Sequence, residues 1–133
     1  MERLRERHAQ ANAALASLEA LLVEDGASAI IRDAAIQRFE YSFEAVWKVS
    51  QRYLRVVEGR VEASPKAVIR ASVAVGLLAD EDGRMGLVMV DDRNLISHTY
   101  NEDLAQRIFE ALPRYAKILR TWLDMVGKRA GSC

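Results

Sequence analysis

An arginine, a histidine and a tyrosine fall within one short stretch, DDRNLISHTYNED, residues 91–103. Arg93 carries a planar guanidinium whose fixed fork of donors suits a phosphate. His98 carries the one side chain whose ordinary pKa lies near neutrality, and so can take or give a proton. The pair suits phosphodiester cleavage: a neutral imidazole takes the proton from a ribose 2′-hydroxyl while the arginine stabilises charge developing on the phosphate. That chemistry needs no metal ion and no cofactor.

Geometry decides whether the two side chains can meet. Five residues along an unbroken helix turn a side chain by about 140°, so Arg93 and His98 would point apart. They converge only if a helix ends between them. Ser97, Thr99 and Asn101 favour such an end, because their side chains compete for backbone hydrogen bonds. His98 would then fold back toward Arg93, and both would lie in the negative field of the helix end. A plainer arrangement fits the same spacing: an ion-paired surface arginine beside a histidine that closes a helix. Asp91, Asp92, Glu102 and Asp103 favour the plainer one, since they repel a phosphate backbone unless they face away.

The elements that must position these residues read as helices. A first stripe runs through Leu4, His8, Ala11, Leu15, Leu18 and Leu22, with a break expected at Asp25-Gly26. Ile36, Phe39, Phe43, Val46, Ser50, Tyr53 and Val57 form a second, closed by Gly59. Ser64-Pro65 is an N-cap followed by proline at the first helical position, opening a third helix through Val68, Ile69, Ser72, Val75 and Leu78. Asp80-Glu81-Asp82-Gly83 reads as a turn, and Met85 to Ile96 as a fourth helix. LVMV within it has no second β-like run to pair with. Asn101 caps a fifth helix carrying Leu104, Ile108, Leu112, Tyr115, Leu119, Trp122 and Val126. Pro113 should kink that helix or cost it about 3 kcal/mol.

These elements predict an all-α, up-and-down bundle of about five helices, with more than about 65% of residues helical against a globular average near one third. The 133 residues suit one domain spanning 1–133, with 127–133 as a frayed tail. Nineteen basic residues balance nineteen acidic ones, so no global charge points to nucleic acid or membrane, and RNA contact would need a local basic cleft. The single cysteine, Cys133, forms no intrachain disulfide, and no signal peptide or membrane-length run is present; a cytoplasmic protein is expected. Helices 2 and 5 hold more large apolar residues than one stripe uses, which predicts a homodimer. Glu40, Glu44 and Lys48 share one helix face and read as a charge ladder rather than a metal site. His8, Trp47 and Trp122 read as structural.

Asp92-Arg93-Asn94 followed by His98-Thr99-Tyr100-Asn101-Glu102 resembles the signature of the HEPN superfamily, an arginine, four to six residues, then histidine. Tyrosine two residues after the histidine resembles the nucleotidyltransferase substrate-binding protein family within it. The block Phe39-Glu40-Tyr41-Ser42-Phe43-Glu44 with Trp47-Lys48, and Ser64-Pro65 with Val68-Ile69-Arg70, extend the resemblance over about residues 32–125. The resemblance implies a HEPN-like bundle, dimeric, partnered by a small nucleotidyltransferase encoded nearby. It implies either a substrate-binding and regulatory subunit of that enzyme or a metal-independent endoribonuclease toxin acting on RNA. In the second case Arg93 and His98 are the catalytic pair, Asn94 supports them, and adenylylation of Tyr100 silences the site. Asp91, Asp92, Glu102 and Asp103 would then form an acidic rim for a basic partner surface.

Overall fold

The computed structural model describes residues 2–23 and 28–131, so the break expected at Asp25-Gly26 and the terminal Cys133 lie outside the described residues. Five helices follow in order: α1 (Glu2–Leu22), α2 (Ala29–Val56), α3 (Pro65–Ala74), α4 (Asp80–His98) and α5 (Glu102–Gly131). They hold 86% of the described residues, among which there is no strand. The LVMV run is helical.

Side chains set the helix starts, at Ser64 and Asn101 as the sequence predicts and at Ser28 besides. Ser28 accepts from the amide of Ile31 at 3.1 Å, Ser64 from Ala67 at 3.2 Å with Pro65 at N1, and Asn101 from Leu104 at 2.8 Å. Gly59 follows α2 at φ +70°, a conformation that side chains with a Cβ rarely adopt.

Packing follows the stripes. Helices α1, α2 and α5 pack on one another, α3 lies against α2 and α4, and α4 against α5. Arg38 reaches the carbonyl of Ser17 while Arg7 and Lys48 line one concavity, and Arg120 pairs with Glu19 while His8 meets Leu123, so α1 runs antiparallel to both α2 and α5. Phe39, Phe43, Val46, Trp47 and Tyr53 of α2 meet Ile108, Leu112, Tyr115, Leu119 and Trp122 of α5 in one buried core. Trp122 donates to Ser72 of α3 at 3.0 Å, and His8 donates from Nε2 to the carbonyl of Leu123 at 2.9 Å. Leu104, expected in the core, is only half-buried.

Three expectations need correction. The Asp80-Glu81-Asp82-Gly83 cluster is not a turn but the first turn of α4, where three acids oppose the positive helix end. Residues 127–131 are not frayed but continue α5, with Gly127 against the His8 ring and Arg129 donating to the carbonyl of Val75 at 2.6 Å. The one span of α5 includes Pro113, which sits exposed, off the buried stripe. The large apolar residues of α2 and α5 are consumed inside the chain, so their number does not argue for an interface.

Gly83 shows why the acidic cluster carries a glycine. A Cβ there would lie 2.4 Å from Cγ2 of Val73, on the facing side of α3. Gly83→Ala should therefore lower stability by about 1 kcal/mol, the overpacking cost exceeding the helix propensity gained. In a Val73→Ala background the same substitution should instead stabilise. Chemical denaturation of the two single variants and the double variant measures both signs.

Candidate functional site

The last turns of α4 carry Arg93, Asn94, Ser97 and His98, and α2 faces them. Arg93 donates from Nη2 to Glu44 at 2.7 Å and from Nη1 to its neighbour Asn94 at 3.2 Å. Its guanidinium carbon lies 5.3 Å from the centre of the Phe43 ring, and its buried Nε has no partner. Glu44 also accepts from the Trp47 indole at 3.1 Å. The arginine is thus a half-buried cation clamped by one carboxylate and one aromatic face. One turn on, Ser97 donates to Glu40 at 3.0 Å.

The helix does not end between Arg93 and His98. It runs through His98 and is capped at Thr99, whose amide bonds to the carbonyl of Leu95. The two side chains keep the angular offset of a regular helix, about 140°, so within one chain they diverge. The structure brings Arg93 to Glu44 and leaves His98 exposed, with no hydrogen bond among the described residues. Ser97 contributes a tether to α2 rather than a helix break.

Tyr100 stands in the three-residue junction before α5, 55% exposed, and donates its hydroxyl to Asp33 of α2 at 2.5 Å. Asp33 also accepts from Arg32 at 3.2 Å. The bond to Asp33 holds the Tyr100 phenol above its ordinary pKa, and the same bond holds the Asp33 carboxyl below its own. The hydroxyl therefore keeps its proton at neutral pH and lies at the surface, hydrogen-bonded to the Asp33 carboxylate.

Asp92 corrects the acidic rim. Its carboxylate is buried, accepting from Arg107 at 3.0 Å and from the Tyr115 hydroxyl, and it faces the interior. Asp91 pairs with Lys66 at 2.7 Å and Glu102 approaches Arg32 at 3.9 Å. Only Asp91, Glu102 and Asp103 remain at the surface. Glu40 and Glu44, read from sequence as a ladder with Lys48, are instead the α2 partners of Ser97 and Arg93. The signal was present: residues 40 and 44 and residues 93 and 97 share the same four-residue step, which pairs two helix faces. Among the described residues no group of three or more His, Cys, Asp or Glu side chains is placed to hold a metal ion.

Asp92→Ala should cost about 1–3 kcal/mol, because it leaves the buried Tyr115 hydroxyl without an acceptor. Tyr115→Phe in the same background should add less than it does alone, measurable in a double-mutant cycle. Burial first, and then the bond to Asp92, push the Tyr115 phenol up. The unfolded chain therefore loses this proton first. The stabilisation is complete below about pH 10 and fades as pH rises through the raised folded value. Tyr115→Phe should make the alkaline limb of a stability–pH curve shallower.

Residues 6–128 match the family described as nucleotidyltransferase substrate binding protein like. A protein of known crystal structure from Thermus thermophilus is 54% identical, with a TM-score of 0.83 over 87% of this chain and 98% of that one. A tri-AMPylated HEPN toxin from Shewanella oneidensis, solved in complex with an MNT antitoxin, has a TM-score of 0.72 over 94% of this chain and 96% of that one. At 14% identity that likeness shows a shared fold. No curated protein matches the sequence. With the family match spanning nearly its whole length, this chain belongs to the nucleotidyltransferase substrate binding protein like family.

Proposed function

We propose that this chain is the helical partner subunit of a small nucleotidyltransferase, in the manner of paired HEPN toxins and nucleotidyltransferase antitoxins. The family match over residues 6–128 carries the reading. The fold shared with an AMPylated HEPN toxin in complex with an MNT antitoxin supports it. So does the placement of Tyr100, a largely exposed side chain whose hydroxyl lies against Asp33 at the α4–α5 junction, where a docked enzyme can reach it. Transfer of adenylate there joins the tyrosine oxygen to the α-phosphate of ATP, releases pyrophosphate and passes the phenolic proton to a base. The adduct places a negative charge and a bulky nucleoside beside His98.

A second reading, an endoribonuclease that needs no metal, draws on the exposure of His98 and the phosphate-sized fork of Arg93. In one copy the two diverge, so this reading requires a two-fold dimer in which His98 of one copy approaches Arg93 of the other. Val88 and Leu95, 46% and 45% exposed on α4, offer an apolar patch for that contact. No helix among the described residues is long and apolar enough to cross a membrane, and the reading is of a cytoplasmic pair of proteins.

Co-expression with the nucleotidyltransferase encoded beside it should yield a complex whose intact mass carries one or more AMP units, lost in Tyr100→Phe. Failure to recover any complex overturns the partner reading. For the second reading, RNA cleavage in EDTA should fall by about 10²- to 10⁴-fold in His98→Ala. Cleavage equal in wild type, His98→Ala and Arg93→Ala, or a monomer by light scattering, removes it.

A further inference from the structure

The neutral overall charge hides a concentrated basic groove between α1 and the C-terminal half of α2. Arg7, Lys48, Arg52 and Arg55 line one concavity, and Arg7 and Lys48 continue into a second that ends at Tyr41. Arg3 adds its field from the start of α1. None of these cations forms an ion pair among the described residues. Elsewhere the arginines are mostly engaged: Arg32, Arg60, Arg84, Arg93, Arg107, Arg120 and Arg129 each meet a carboxylate. The two acids of the groove are themselves occupied, Glu44 by Arg93 and Glu62 by Arg60 at 3.5 Å. Burial, then Arg7, Arg55 and Arg3, hold the Arg52 guanidinium below its ordinary pKa, the mark of cations crowded without counter-charge.

We propose that this groove binds the phosphodiester backbone of a single-stranded polynucleotide. Tyr41, Lys48, Arg52 and Arg55 recur at helical spacing on one face of α2, a track of about 21 Å. That is long for one nucleotide and suited to several successive phosphates. Tyr41, 59% exposed, ends the track with an aromatic face on which a base can stack. An extended polyanion inside a channel between two helices neutralises each unpaired cation in turn, whereas an acidic protein surface would have to insert a matching ridge. The track ends where Glu44 holds Arg93, so a bound strand is led toward the α4 motif. Binding itself does not require a nucleotidyltransferase partner, so its failure would leave the partner-subunit reading standing.

The test is fluorescence anisotropy of the full chain with a labelled single-stranded RNA of about 12 nucleotides, long enough to cover the track. The same measurement with single-stranded DNA of equal sequence tells whether the sugar matters. Affinity should fall with salt, with a log–log slope of about −0.7 for each cation engaged, hence roughly −2 to −3. Arg52→Glu/Arg55→Glu should weaken binding by about tenfold or more, and Arg52→Gln/Arg55→Gln should flatten the salt slope by about 1.4, about 0.7 for each cation removed. Circular dichroism checks that both fold. Arg5→Glu, toward the α5 side of α1, should bind as wild type does. Wild-type affinity in both double variants, or an equal loss in Arg5→Glu, overturns the proposal. So does inorganic triphosphate binding as tightly as the RNA. A wild type that binds neither nucleic acid, while the double variants lose a protein partner, overturns it too and assigns the groove to an acidic protein instead.

Discussion

Asp92 carries its carboxylate into the interior, where α4 can settle only because two donors from α5 meet it. The Tyr115 hydroxyl and the Arg107 guanidinium close on its two oxygens, and the Tyr115 ring in turn stacks on Phe39 of α2, centroids 5.7 Å apart. One buried charge thereby fixes α4 against α5 and refers both to α2. A carboxylate placed there without partners would cost several kcal/mol, so the pairing acts on register more than on net stability. Arg93 follows Asp92 directly. With Asp92 pinned inward, the helix leaves its neighbour no choice but the seam toward α2.

That seam is polar. Arg93 meets Glu44, Ser97 meets Glu40, and beyond the helix end Tyr100 meets Asp33. The α4 numbers rise as the α2 numbers fall, so the two helices run antiparallel and are stitched by side chains rather than by close backbone packing. Close packing occurs on the opposite side, where Gly83 and Gly86 let α4 approach Val73 and Ile69 of α3. Helix α4 is therefore dry and tight toward α3, charged toward α2, and bare at His98. The residue type at each position follows from which neighbour it faces.

The long helices are legible in the sequence because their apolar stripes repeat at 3 and 4 residues, and their starts because Ser64 and Asn101 can do little else at those positions. The start of α4 is not, because acids followed by glycine serve a turn and a helix N-terminus equally well. Only contact with Val73 shows that Gly83 is there for lack of a side chain. Arg93, Asn94, His98 and Tyr100 are legible as a group through family resemblance. Their arrangement is not, since the helix-breaking character of Ser97 and Thr99 predicts an end that Ser97 instead avoids by bonding to Glu40. Glu40 and Glu44 mislead because a helix face viewed alone offers Lys48 as the nearest opposite charge. In the fold Lys48 lies over the Trp47 ring at 4.8 Å, and Arg93 takes Glu44.

Where the charges are spent distinguishes the two faces of α2. Toward α4, every cation has its carboxylate: Arg93 has Glu44, and Arg32 has Asp33. Toward α1, α2 itself carries no carboxylate from Lys48 to Val56, while Arg52 and Arg55 continue the row of cations. With equal numbers of acids and bases in the chain, an unpaired row on one side requires acids left over elsewhere, and Asp80, Asp82 and Asp103 are such acids, at the starts of α4 and α5. Helix dipoles hold part of that negative charge in place without a side-chain partner. The net charge of zero is thus a total over unevenly placed charges, and a local surface potential, unlike a total, is what an approaching polyanion meets within a Debye length of about 8–10 Å.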